Sequence, residues 1–298
     1  MQFSLFNRCV GHTGGVYDIQ GISSNEFLSA AGDRFVVSWK LDSPEQGTLI
    51  ARAADSIYSI LHLPEKNELL IGQAKGEIHV MDLNFNHEKR LLKINDKGIF
   101  ALIENKEKSK IYVLGGDGVL TVLSKNDFSL MDKKKISSMK LRSLVFDGKA
   151  NCLYVGCGEG KIHQLEDETL ETIHSHQIAA QGFSINALVD YSDELLICGG
   201  RDAHLRWINK KDLSIVHEIP AHNYAIYKIA FSPSKSYFAT ASRDKTIKIW
   251  DSPSKHVLQR LEQANEGHLN SVNTLFWMND TTLLTAGDDR SIGIWKAV

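Results

Sequence analysis

The stretch AIYKIAF (225–231) alternates apolar and polar positions and predicts a β-strand. A turn, SPSKS (232–236), follows it. A second strand YFATAS (237–242), a tight turn RDK (243–245) and a third strand TIKIWD (246–251) come next. A fourth, more polar stretch, HVLQRLE (256–262), fits an outer edge strand. The first three strands recur in SIYSILHLPEKNELLIGQAKGEIHVMD (56–82), GIFALIENKEKSKIYVLGGDGVLTVLS (98–124) and KLRSLVFDGKANCLYVGCGEGKIHQLE (140–166). Aligning the copies on the tight turn picks out Asp33, Lys75, Asp117, Glu159, Asp202, Asp244 and Asp289, separated by 42, 42, 42, 43, 42 and 45 residues. Seven copies at this period, with short strands and Gly-rich turns, predict an all-β, seven-bladed β-propeller of four-stranded antiparallel blades, one domain over residues 1–298.

The two ends of the chain complete the pattern. The seventh copy stops after its third strand, at Trp295. The segment QFSLFNRCV (2–10) sits where every other copy has the fourth strand of the preceding unit. It is expected to pair into the last blade and close the ring, which removes unpaired edges.

With the pattern in place, composition excludes more than it adds. A formal charge of −2 over 298 residues gives no basic surplus for nucleic acid. No apolar run reaches the ~18–20 residues that span a bilayer, and the N-terminus does not read as a signal peptide. The four cysteines (Cys9, Cys152, Cys157, Cys198) form no CxxC pair and read as reduced, buried thiols of a cytoplasmic protein. No cofactor or metal site is expected. The pair His174 and His176 lacks further ligands at suitable spacing. The glycines of 114–118 and 156–160 read as turn residues, and the DKKK run (132–135) as a solvated edge.

Gly11-His12, Gly267-His268 and Trp250-Asp251 make the whole chain resemble the WD-repeat β-propellers. The resemblance implies a buried tetrad in each complete repeat: a His before the innermost strand, a Ser or Thr in the second, an Asp in the turn and a Trp in the third. The matching residues are His12, Ser29, Asp33 and Trp39; His222, Thr240, Asp244 and Trp250; and His268, Thr285, Asp289 and Trp295. Repeat five keeps Asp202 but has Gln181, Cys198 and Ile208 in the other slots, with Trp207 displaced by one. Repeats two to four put Ile71, Val113 and Val155 in the hydroxyl slot and Met81, Leu123 and Leu165 in the Trp slot. The three complete sets flank the expected closure. Ser, His and Asp together raise the possibility of a hydrolase. A set that repeats, with its hydroxyl mid-strand and a Trp to bind it, reads instead as scaffold.

The resemblance further implies a non-catalytic scaffold, monomeric on its own, that docks a protein or peptide partner on its top face. Five residues after the His slot the chain carries Tyr17, Tyr58, Phe100, Arg142, Asn186, Tyr227 and Asn273. The preceding position is uniformly Val, Ile or Leu. Lys140, Arg201 and Arg243 add positive charge, so the expected partner has acidic and apolar segments, since aromatic and Arg side chains dominate interface hot spots. The alternative is a small-ligand site or an enzyme using the central channel, which would need acids or histidines from several innermost strands.

Overall fold

The computed structural model describes residues 2–84 and 87–298. They form 28 strands in seven four-stranded antiparallel sheets, one per sequence repeat, plus a short 3-10 turn at Gln263–Asn265. In repeat six the strands are Ile226–Phe231, Tyr237–Ser242, Ile247–Asp251 and Val257–Leu261, within a residue or two of the expected segments. Within each sheet the strands follow sequence order, except in the last. There Phe3–Val10 pairs antiparallel with Ser291–Ala297, from Phe3 opposite Ala297 to Val10 opposite Ser291. The N-terminal strand is therefore the outer strand of the seventh blade, as expected.

The second strand of a blade is its most buried part. Glu68–Gln73, Lys110–Gly115, Cys152–Cys157 and Thr282–Gly287 are buried at every position, so both faces of the sheet need cover. The cover comes from the adjacent repeat. The chain groups into two compact units: Met1–Ala74 with Ile78–Leu92 and Tyr227–Val298, and Lys75–Glu77 with Lys93–Ile226. In the first unit Leu28 and Val36 of blade one pack with Ile57 and Ile71 of blade two. Val16 and Trp39 of blade one pack with Leu284 and Ile294 of blade seven, and Ile249 of blade six with Leu275 and Trp277. In the second unit Leu120 meets Leu141 and Leu153, and Tyr154 and Ile162 meet Ile185 and Ile208.

Backbone conformation repeats as faithfully as the hydrophobic pattern. The residue after each turn acid (after Lys75 in repeat two) has a positive φ: Arg34, Gly76, Gly118, Gly160, Ala203, Lys245 and Arg290. Glycine is required where the chain passes close by. A Cβ on Gly118 would lie 2.1 Å from the Ser137 carbonyl oxygen, and one on Gly160 would lie 2.7 Å from that of Ala179. Those same left-handed residues accept amides from the next loop, Ile136 to Gly118 at 2.9 Å and Ile178 to Gly160 at 2.9 Å.

The outer strands are more polar, yet each of six carries a bulge whose extra residue is apolar: Phe6, Ile50, Met131, Ile173, Val216 and Leu258. A bulge interrupts the edge ladder and discourages pairing with another chain. The DKKK run is not simply solvated. Lys133 donates to the Ile94 carbonyl at 2.9 Å and Lys134 to that of Leu170 at 2.7 Å, so the run ties its edge to neighbouring loops.

The closing strand is fixed by side chains as well as by its ladder. Gln259 accepts from the Phe3 amide at 2.6 Å and donates to the Phe3 carbonyl at 2.8 Å. Arg8 donates to Ser291 Oγ at 2.7 Å. Phe3 is buried edge-on against Trp277, with centroids 5.6 Å apart, whereas Phe6 lies at the surface under Lys296. Phe3→Ala should cost about 3–5 kcal/mol in urea unfolding. Phe6→Ala should cost less than about 1 kcal/mol. Equal costs would show that the strand does not hold the seventh blade together.

Candidate functional site

Blades one and seven display the complete buried network. In blade seven His268 Nδ1 donates to Asp289 Oδ2 at 2.8 Å, Thr285 Oγ1 donates to His268 Nε2 at 2.8 Å, and Trp295 Nε1 donates to Thr285 Oγ1 at 2.8 Å. Blade one matches it: His12 to Asp33 at 2.9 Å, Ser29 to His12 at 2.8 Å and Trp39 to Ser29 at 2.8 Å. An ionised Asp accepts only, so each imidazole is assigned its proton on Nδ1 and takes the hydroxyl proton at Nε2. In blade six Trp250 Nε1 donates to Thr240 Oγ1 at 3.0 Å, Asp244 Oδ1 takes the Thr246 amide at 3.1 Å, and His222 is buried.

The acid, imidazole and hydroxyl lie in the order of a hydrolytic triad, but the chemistry is closed off. Ser29 and Thr285 have no exposed surface, and each hydroxyl already receives an indole N–H. No substrate carbonyl can approach them. Burial would raise the Asp289 carboxyl. The His268 ring N–H, the Leu269 amide at 3.0 Å and Ser291 outweigh it and hold the group at about 2. Asp33 is likewise lowered: burial opposes, but the Thr13 amide and His12 prevail.

The remaining blades reveal what the sequence left unread. Blades three and four keep half of the network. Asn95 donates to Asp117 at 3.4 Å, and Ser137 and Ser138 each donate to Glu159 at 2.7 Å. Those two hydroxyls hold Glu159 at about 2. The deeper half, Val113 with Leu123 and Val155 with Leu165, is wholly apolar and buried. In blade five the buried Arg206 lies opposite Cys198 and donates to Asp202 at 2.6 Å and Glu218 at 2.9 Å, taking over the role of the missing His. Trp207 is buried against the His217 ring, with centroids 5.0 Å apart. Desolvation pushes the Cys198 thiol up to about 12, which leaves it inert. A second device links blades. Tyr112 and Tyr154, 42 residues apart, are both buried. Tyr112 donates to Asp167, which also meets Lys110 at 3.0 Å, and Tyr154 donates to the Lys210 carbonyl at 3.1 Å. The shared spacing of the two tyrosines was the available signal.

The periodic surface position has a structural basis. Tyr17, Tyr58, Phe100, Arg142, Asn186 and Asn273 are each the residue skipped in the pairing of the innermost two strands. A bulge leaves its extra residue unpaired and redirects its side chain. Asn186 and Asn273 turn to the neighbouring blade, donating to the carbonyls of Ile226 at 2.9 Å and Val16 at 3.1 Å. Tyr17 and Tyr58 meet edge to face at 5.4 Å. Burial raises the Tyr17 hydroxyl, with Asp288 and Tyr58 adding to it. In the second unit the Arg142 guanidinium sits 4.7 Å over Phe100, and that of Arg201 lies 6.0 Å from Phe183. Lys140 is lowered by burial and by both arginines. Tyr227 is half-buried, while Arg201 and Arg243 are exposed. Among the described residues no three His, Cys, Asp or Glu side chains are placed to hold a metal. Asp18, the acid of an innermost strand, is occupied by the amides of Ile19 and Ile60, each at 3.0 Å.

The family described as "WD domain, G-beta repeat" matches residues 213–251 and 259–296. The crystal structure of the WD40 beta propeller domain of Doa1 superposes with a TM-score of 0.88 at 16% identity, over 99% of this chain and 97% of that one. The fold is thus a seven-bladed β-propeller. Two of its repeats, at residues 213–251 and 259–296, match the WD40 pattern itself. Relatives by sequence include the "Ribosome biogenesis protein YTM1" of Debaryomyces hansenii, 23% identical over 319 residues that cover 99% of this chain and 66% of the relative. Striatin-3 of Bos taurus is 26% identical over 276 residues, covering 80% of this chain and 33% of the relative. The chain spans about two thirds and one third of these two proteins. No helix is long and apolar enough to cross a membrane, which does not bear on β-barrels.

Thr285→Val should strand the Trp295 donor and the His268 acceptor, at about 1–3 kcal/mol each. Asp117→Ala, which loses only a half-network, should cost at most about 1 kcal/mol; urea unfolding of both variants orders them. The Asp289 contribution has a defined pH window. Its folded value lies below the ordinary ~3.9. Its stabilisation is therefore complete above about pH 4 and is lost as pH falls through about 2. The gap in unfolding free energy between the native chain and Asp289→Asn should shrink over that interval; a constant gap would exclude the ionised form as the source.

Proposed function

We propose that this propeller is a non-catalytic interaction scaffold whose partner is a protein or peptide held on the face carrying the bulge residues. The observation that carries this reading is the repeated bulge. In six repeats one side chain is turned out of the ladder, and the equivalent position holds aromatic residues or arginine in five of seven repeats: Tyr17, Tyr58, Phe100, Arg142 and Tyr227. The catalytic-looking groups support the same reading from the other side, since their hydroxyls are buried and saturated. The expected partner has acidic and apolar segments to suit Lys140, Arg142, Arg201 and Arg243 with the aromatics.

The YTM1 relatives are named for ribosome biogenesis, which makes a ribosome-assembly factor the first class of partner to seek. Location would then follow that partner, into the nucleus rather than the cytoplasm expected from the sequence. The channel-enzyme alternative gains nothing from Asp18, whose carboxylate is taken by backbone amides and stands near Lys228.

A pull-down from host extract with the wild-type chain and with Tyr58→Ala, Phe100→Ala and Arg142→Ala tests the proposal. Recovery of a defined protein should fall several-fold for at least one folded variant. Equal recovery by all four proteins would remove this face from consideration.

A further inference from the structure

In the loop two residues before the innermost strand, three consecutive repeats present a large apolar side chain to solvent: Met139, Phe183 and Tyr224, exposed by 41%, 40% and 60%. The other four repeats have Gly14, Asp55, Lys97 and Asn270 there. All three lie in the unit formed by Lys93–Ile226. Positive charge is interleaved with them. Arg201 approaches the Phe183 ring, and Arg142 and Arg201 both repel the Lys140 ammonium. Like charges held close together cost free energy that an incoming anion recovers.

We infer that Met139, Phe183 and Tyr224, with Lys140, Arg142 and Arg201, form the docking site of an extended acidic peptide that also carries apolar anchor residues. This rests on the scaffold reading and narrows it: the partner engages repeats four to six, while Tyr17 and Tyr58 pack on each other as part of the framework. A peptide suits the site better than a nucleic acid. Three cations on a chain of net charge −2 supply few phosphate contacts, and polyanion affinity scales with their number. Methionine and phenylalanine side chains left in water are better matched by aliphatic or aromatic anchors.

The test is selection of a random 12-residue peptide display library on the full chain, followed by fluorescence anisotropy of the enriched peptides. Enriched sequences should combine Asp or Glu with Leu, Ile, Phe or Trp. Binding should weaken about ten-fold in Phe183→Ala and in Arg201→Glu, two surface changes that leave the fold intact by circular dichroism. Tyr58→Ala should bind as the native chain does. Loss with Tyr58→Ala but not with Phe183→Ala would overturn this site while leaving the scaffold reading standing. Absence of enrichment, enriched peptides without acids, or displacement by a 12-nucleotide single-stranded RNA at lower concentration than by unlabelled peptide would each overturn it as well.

Discussion

Everything in this chain depends on sheets that are apolar on both faces. A strand such as Cys152–Cys157, buried at all six positions, cannot be satisfied by one repeat. Each blade must be covered by the next, and the hydrophobic clusters accordingly join consecutive repeats instead of filling any single one. Pairing of Phe3–Val10 with Ser291–Ala297 follows from the same need. Without it the third strand of the last blade would present an open ladder beside the buried Trp295 and Trp277.

The polar networks obey an all-or-half rule with a physical cause. Deep in the blade a hydroxyl, an imidazole and an indole must all be present or all absent, because an orphan buried donor costs more than the hydrogen bond adds. Blades one and seven have all three, and blades three and four have none below the turn. Nearer the surface, water can stand in for a missing partner, so Asn95 with Asp117 and Ser137 with Glu159 persist alone. Turn chemistry follows the network. Arg34 and Arg290 hold a left-handed conformation beside a complete tetrad, and Ala203 does so beside Arg206 with Asp202. Gly118 and Gly160 occupy the same place, and the incoming loop donates to them as Ala53 does to Arg34 and Ala221 to Ala203.

Specialisation at the surface uses what the scaffold leaves free. A bulge at one fixed point in six of the repeats frees a side chain from the ladder. Some of these positions are spent on joining blades, as with Asn186 and Asn273, and others carry aromatic and cationic groups. The scaffold fixes where variation can occur, and the residue placed there determines what can bind.

The 42-residue spacing and the two-residue alternation were enough to specify seven four-stranded blades and the place of the N-terminal strand, because both are consequences of local pattern repeated many times. The networks of blades one and seven were legible for the same reason: identical residues at identical offsets. Other features needed the tertiary structure. The bulge that redirects Tyr17 and Arg142 is a property of register between strands, which alternation alone does not encode. The substitution of Arg206 for a histidine, and the reach of Tyr112 to Asp167 across 55 residues, depend on which side chains the fold brings within a few ångströms. Sequence determined the repeating frame because periodic burial is local, and tertiary structure decided the exceptions because long side chains find their partners through space.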